Sequence, residues 1–545
     1  MVTRRRFGSH WVLWVAIVLA ATGSRLIGPD WDGGIAAHPD ERYVIGVAQD
    51  VRLLENVCAE VPDFPYGHLP VTVARLFVLA APEADPLYTL RLFSGLVGVS
   101  IVALAGACGK ELVGWRGGLL AAFLAAFAPF LIQQGHFYTV DPIAAALGCA
   151  GVLAARRRRW GVAGALTGLA VASKLSLATG AVVLLVVAFA SGGQRSSQGE
   201  GGGHRWFAAG RFALGGLSTF AVASPWSLLT PRLCWRGPLM QSLMASGRFE
   251  FPYTQQYAGT LPYIYPIIQI ALWGLGPFTT LVGLWGLLSA AFRALRWRSV
   301  QLPAALEWLW PLVYFLAVGG LRVKFARYML PLYPWWIAWA ARVVGPLRYK
   351  KLKCAILASS IAVPSFLLGL AQLSIYGTSH PWIAASDWLY ATLAPKDTVA
   401  VEAWDHPLPV PLGFGDPDAF VMEVLPVYEE EDRGKMELLS AAGERAEAVV
   451  LASRRGYGTV TRRSELYPST ISWYAMLFDS REEYVFARCP RLGPLAVTDD
   501  PLRDAGLSPT LSLAERCGTA QALRLPRLDE NFRVYDAPMT IVLIK

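Results

Sequence analysis

The signatures of nucleotide-driven and of common hydrolytic chemistry are missing from these 545 residues. There is no Walker loop, no glycine fingerprint following a strand, no HExxH and no GxSxG elbow. That removes bound nucleotides as an energy source and the serine and zinc hydrolase routes. Charge is scarce as well: 16% of residues are charged, where a soluble chain carries about a quarter. Cysteine is sparse, seven residues at wide spacing with no CxxC pair, so no zinc-finger framework is present. Cys58, Cys234, Cys489 and Cys517 fall in segments read below as facing outward. A disulfide is therefore open to them, Cys489 with Cys517 first.

What the chain does have is apolar length. Hydrophobic residues make up 54% and the mean hydropathy is positive. Apolar runs near the ~20 residues that cross a bilayer core recur through the first two thirds. They lie near 11–28, 90–108, 115–131, 142–155, 160–172, 175–190, 207–229, 265–290, 306–320, 328–344 and 354–376, about eleven helices. The first follows Arg4, Arg5 and Arg6 and is too long for a signal h-region, so it reads as a retained helix. The net charge of +9 does not indicate nucleic acid, because the basic residues sit in short runs between spans.

Those runs orient the chain. Arg4 to Arg6, Lys110 with Arg116, 156–159, Arg195 with Arg205, Arg293 with Arg296 and Arg298, and 342–353 occupy alternate gaps, the cytoplasmic set. The other gaps hold Asp30, Asp32, Asp40, Glu41, Asp63, Glu83, Asp85 and Asp141. An odd number of helices then puts the C-terminal region outside. The stretch 191–205 reads as a flexible Gly- and Ser-rich loop, and 66–81 as a helix lying along the outer interface. After residue 376 charge rises, and β-rich runs at 398–401, 448–451 and 540–544 alternate with helical stretches such as 383–393. The expected architecture is a polytopic α-helical membrane domain over 1–376, with outer loops near 29–89 and 230–264. An extracytoplasmic α/β domain follows over 377–545.

Three groups of residues could carry chemistry. Asp40 and Glu41, in His38-Pro39-Asp40-Glu41, and Asp141, before Pro142, stand at outer helix ends where a carboxylate can accept a proton. Their bland readings are solvated loop acids and, for Asp141, an N-cap. Arg91, Lys174, Arg322, Lys324 and Arg327 are cations on the side that positive charge avoids, which suits an anionic partner such as a lipid-linked phosphate. Snorkelling to ordinary headgroups is the alternative. The outer loop 230–266 interleaves aromatics and amides, including Tyr253, Gln255, Gln256, Tyr257 and Tyr263, as sugar sites do and as interfacial belts also do.

With these residues in view, the chain resembles the GT-C glycosyltransferases of the protein O-mannosyltransferase and lipid A aminoarabinose transferase type. Their bacterial family 39-like relatives are nearer still. The likeness is carried by His38-Pro39-Asp40-Glu41, Phe64-Pro65-Tyr66-Gly67-His68-Leu69-Pro70, Leu90-Arg91-Leu92-Phe93-Ser94, Thr139-Val140-Asp141-Pro142 and Ala172-Ser173-Lys174. Tyr257 through Tyr263 and Lys324-Phe325-Ala326-Arg327-Tyr328 follow the same pattern, and the stretches containing Trp404-Asp405-His406 and Val534-Tyr535-Asp536 resemble the outer-domain signatures. The resemblance implies a membrane hexosyl- or pentosyltransferase that moves a sugar from a polyprenyl-phosphate donor to a glycan, lipid or protein acceptor at the outer face of the plasma membrane. It makes Asp40 the base of an inverting displacement, with Glu41 and Asp141 in support. Arg91, Lys174, Lys324 and Arg327 become the carrier-phosphate residues, and His38, Tyr66, His136, Tyr257 and Tyr263 the substrate contacts. A divalent metal, held by Asp40 and Asp141, stays open. Two rival classes remain, a transporter or lipid flippase and a non-catalytic scaffold. Transport usually brings inverted repeats and midplane charges, and neither is evident.

Overall fold

The computed structural model describes residues 10–53, 55–193, 201–297, 302–342, 351–528 and 530–545. Arg4, Arg5, Arg6, Arg195, Arg298, residues 343–350 of the last basic gap and residues 194–200 of the Gly/Ser-rich stretch lie outside the described residues. The chain divides into two compact units. The first comprises Met1–Pro29, Pro39–Ser246 and Pro262–Gly369; the second comprises Asp30–His38, Gly247–Leu261 and Leu370–Lys545.

The first unit is helical. Among the described residues its helices Pro86–Val113, Pro277–Arg296 and Leu302–Gly319, and the stretch Ala355–Thr392, of which 370–392 belong to the second unit, are long and apolar enough to cross a membrane. A fifth span results if Trp115–Ala126 and Pro129–Gly135, bent by 64°, count as one. Pro129 makes this break, since it cannot donate a backbone hydrogen bond. The carbonyls it strands are capped from elsewhere: buried Arg25 donates to Ala126 at 3.1 Å and Ala125 at 2.9 Å. The run 265–290, expected as one helix, is divided as well. Ile264–Gln269 passes through the π-turn Ile270–Gly274, and Pro277–Trp297 follows. Gly276, at φ 87°, and Pro277 cause the division. Elsewhere small residues set the spacing. Side chains at Gly164, Gly168 or Gly215 would strike the backbone of the facing helix, so Trp160–Ser173 and Gly201–Ala223 approach more closely than larger residues allow.

The second unit holds an α/β core. The order of its larger sheet is β2-β1-β3-β8-β4, built from β1 (Thr398–Glu402), β2 (Val421–Leu425), β3 (Ala448–Leu451), β4 (Glu482–Ala487) and β8 (Met539–Ile544). A smaller sheet joins β5 (Arg491–Leu492), β6 (Leu495–Thr498) and β7 (Gln521–Arg524). Strands β2, β1 and β3 run parallel, and β8 is antiparallel to β3 and β4. Val399, Ala400, Val449 and Val450 are fully buried, as expected of parallel strands covered on both faces. The helix Pro468–Ser480 adds Trp473, Tyr474 and Leu477 to this core. Cys489 is bonded to Cys517 here, and Cys58 to Cys234 in the first unit.

One buried acid makes stability depend on pH. Glu402 ends β1 at 3% exposure, accepts the Tyr474 hydroxyl and lies against Gly456. Burial, and then the charge of Asp405, push its carboxyl well above the usual range. The folded chain therefore holds this proton more tightly than the unfolded chain does. Stability is complete below the ordinary Glu value of about 4.3 and falls by up to about 1.4 kcal/mol per pH unit as pH rises toward the folded value. Glu402→Gln should melt with the parent near about pH 4 and above it near about pH 7. A melting difference that does not vary with pH would contradict this account.

Candidate active site

The site is assembled from five segments of the first unit. Asp40 and Glu41 lie in the first turn of Pro39–Asp50, where the helix dipole favours negative charge. Consecutive helical residues point about 100° apart, and the two acids diverge accordingly. Asp40 pairs with Arg327, in the 3-10 turn Ala326–Leu332. Glu41, at 0% exposure, takes Arg91 in a two-pronged ion pair, Nε at 3.0 Å and Nη2 at 2.6 Å, and also accepts Tyr138 N–H at 2.8 Å.

Asp141 lies in the first turn of Val140–Arg156. It is not the N-cap, a position Thr139 occupies; its carboxylate, 4% exposed, pairs with Lys174. Lys174 ends the helix Trp160–Ser173 in extended backbone, and its ammonium lies 4.8 Å from the Tyr328 ring centroid. The field at both Lys174 and Arg327 includes Asp40 and Asp141, so the two pairs share one site. Tyr66 completes it. Its hydroxyl bonds to Asp40, and burial, followed by the Asp40 charge, pushes its pKa well above the phenol value. Tyr66 therefore stays a donor. Gly67 holds it there: Gly67 N–H donates to Ser173 O at 3.3 Å, and any side chain would collide with Ala172.

The other residues expected at the site have partners of their own. The Arg91 guanidinium is held by Glu41 and by Pro29 O at 3.0 Å. Lys324, buried, donates to Arg322 O at 3.0 Å. His136 bridges Ile132 O and Ile27 O, each at 2.9 Å, in a helix-joining role. Tyr263, at φ 62°, donates its hydroxyl to Leu316 O at 3.2 Å. His38 and Tyr257 belong to the second unit, where His38 lies against Tyr535 and Tyr257 is fully buried. Tyr328 and Tyr138 join the site without a local signal: nothing in the sequence around Tyr328 ties it to Lys174, and Tyr138 acts through its backbone, which sequence does not single out.

The donor set does not fit a divalent ion. Asp40 and Asp141 each have a cationic partner, so a bound dication would face two positive side chains with only two carboxylates. Among the described residues, the one group of three or more His, Cys, Asp or Glu ligand atoms that gathers within 4.8 Å is Cys58, His68 and Cys234. Both of those sulfurs are spent in a disulfide.

No family profile and no curated protein matches the chain. Solved structures do. An archaeal oligosaccharyltransferase, AglB from Archaeoglobus fulgidus in complex with an inhibitory peptide and a dolichol-phosphate, is similar at 15% identity and a TM-score of 0.52. That match covers 87% of this chain and 72% of the other. The A. fulgidus enzyme complexed with Zn and sulfate matches at 16% identity and 0.47, over 88% and 72%. ArnT from Cupriavidus metallidurans bound to undecaprenyl phosphate matches at 15% and 0.46, over 88% and 96%. The likeness is one of fold, shared with the A. fulgidus oligosaccharyltransferase.

Proposed function

We propose that this chain is a polytopic membrane glycosyltransferase that moves a hexose or pentose from a polyprenyl-phosphate donor to an acceptor at the outer face of the plasma membrane. The observation that carries the reading is the convergence of Asp40–Arg327 and Asp141–Lys174 with Tyr66 in one site. About eleven crossings, a catalytic membrane domain over 1–376 and an outward domain over 377–545 belong to the same proposal. The dolichol-phosphate in the AglB complex supports a lipid-phosphate donor.

The acceptor O–H attacks the anomeric carbon opposite the carrier phosphate. Asp40 takes the proton as the new C–O bond forms. The bond to the phosphate oxygen breaks with its electron pair, and Arg327 and Lys174 stabilise the charge left there. In the resting site the carboxylates hold these cations. An arriving phosphate competes for Arg327 and frees an Asp40 oxygen, so donor binding and base activation are coupled. Inversion follows from a single in-line displacement. Glu41 and Arg91 position the Asp40 turn rather than touch the donor.

The test is incubation of the purified protein with a panel of polyprenyl-phosphate sugars and extracted envelope acceptors, read by mass spectrometry. Consumption of one donor with release of carrier phosphate is expected. No consumption across hexose and pentose donors would favour transport. Because two cations already occupy the phosphate position, EDTA should leave turnover within about twofold of the untreated rate. A loss restored by added Mg²⁺ or Mn²⁺ would overturn that assignment.

A further inference from the structure

Parallel strands of an open α/β sheet deliver loops at their C-terminal ends, and with a strand order of 2-1-3 ligands settle beyond β1 and β3. In the second unit that place carries side chains the transfer chemistry above does not use. Trp404 and Asp405 leave β1; Ser453 and Arg455 leave β3. Tyr253, from the segment Gly247–Leu261 of the same unit, joins them.

The aromatic residues form a platform. Phe251 and Tyr253 lie nearly parallel, 5.7 Å apart at 9°. Trp404 meets them at 6.2 and 6.3 Å and is 53% exposed. Its backbone sits at φ 67°, in the left-handed region that a bulky residue occupies only at a cost. Burial does not explain that cost, because more than half of the residue is exposed. Polar groups frame the rings. Arg455 holds Trp404 O at 3.0 Å and the Tyr535 hydroxyl at 2.6 Å, with its guanidinium 5.6 Å from the Tyr253 ring centroid. Asp405 accepts Ser453 Oγ at 2.8 Å, and that oxygen in turn accepts Arg455 N–H at 3.0 Å. The strained tryptophan is thus fixed by a closed set of hydrogen bonds.

We infer that this platform is a carbohydrate-binding site, which on the transferase reading takes a glycan of the acceptor. The negative faces of the rings suit the slightly positive C–H faces of a pyranose or furanose. A guanidinium and a carboxylate beside them suit its hydroxyls, one donating and the other accepting. The Asp405 carboxylate at the rim disfavours the anionic headgroups that an interfacial aromatic belt would meet.

The experiment uses the full chain in detergent on an array of di- to hexasaccharides of mannose, galactose, glucose, arabinose and N-acetylglucosamine. Retention of at least one series is expected, with Trp404→Ala and Arg455→Gln each lowering its affinity at least about tenfold. Arg455→Lys serves as the milder variant should Arg455→Gln fold poorly. Asp40→Asn should bind saccharide as the parent does, which separates this site from the transfer site. If no polyprenyl-phosphate donor is consumed but saccharide still binds through Trp404, the transferase reading falls and this one stands. Three results would overturn it: no saccharide retained, equal retention by Trp404→Ala, or quenching by brominated lipid in nanodiscs that Trp404→Phe abolishes.

Discussion

Asp40→Asn should insert, fold and carry its disulfides as the parent does, and transfer sugar about 10²- to 10⁴-fold more slowly. The amide keeps the shape of the carboxylate and still offers an oxygen to Arg327 and Tyr66, so the local structure survives. What it cannot do is accept the acceptor proton. The variant also removes the counter-charge of Arg327, which on the proposed reading would compete with a donor phosphate. Carrier-phosphate affinity should therefore hold or rise while the rate collapses, a split that a merely structural Asp40 would not produce. Asp141→Asn is the contrast. It removes the counter-charge of Lys174 but leaves the base, so donor affinity should again hold or rise while the rate falls far less than in Asp40→Asn. A normal rate in Asp40→Asn, measured as sugar transferred per correctly inserted molecule, would end the assignment of Asp40 as the base.

Much of the fold could be read in advance, because apolar runs and β-rich segments are local. The strand β3 coincides with the run 448–451, and the helix His68–Ala80 occupies the stretch 66–81. Breaks were harder to see. Pro129 and the pair Gly276 and Pro277 sit inside apolar runs whose hydropathy does not fall, so a window sees one span where the backbone makes two. The site divides along the same line. Sidedness and motif singled out Asp40, Asp141, Lys174 and Arg327 as types of residue, but not as pairs. Asp40 and Arg327 are 287 positions apart, and nothing between them records the contact. Arg91 shows the cost of that blindness. Its charge on the outward side suited a phosphate, yet its partner is Glu41, 50 residues earlier, and the ion pair is buried. Asp141 followed by Pro142 has the sequence of a helix start, and only the approach of Lys174 reveals what its carboxylate faces.

Glu41→Gln should fail in a different way from its neighbour. The Glu41–Arg91 pair is 0% and 1% exposed, so the substitution leaves a guanidinium buried without its counter-charge. Breaking such a pair costs about 3–5 kcal/mol. That is a large part of the roughly 5–15 kcal/mol that holds a typical domain together. Glu41 also accepts Tyr138 N–H, so weakening it loosens the 137–139 turn ahead of Asp141 as well as the turn bearing Asp40. Loss of folded, detergent-stable protein should therefore dominate, with a much lower melting temperature and no selective loss of donor affinity. The double variant Glu41→Met, Arg91→Met is the discriminating one. Replacing both charges by apolar groups of similar volume removes the uncompensated ion, and such replacements are often neutral. Folded yield should recover to well above that of Glu41→Gln, and whatever protein folds should turn over donor, because neither side chain takes part in the proposed displacement. Recovery of fold without any recovery of transfer would instead put Arg91 at the carrier phosphate, and the pairing with Glu41 would then be only its resting state.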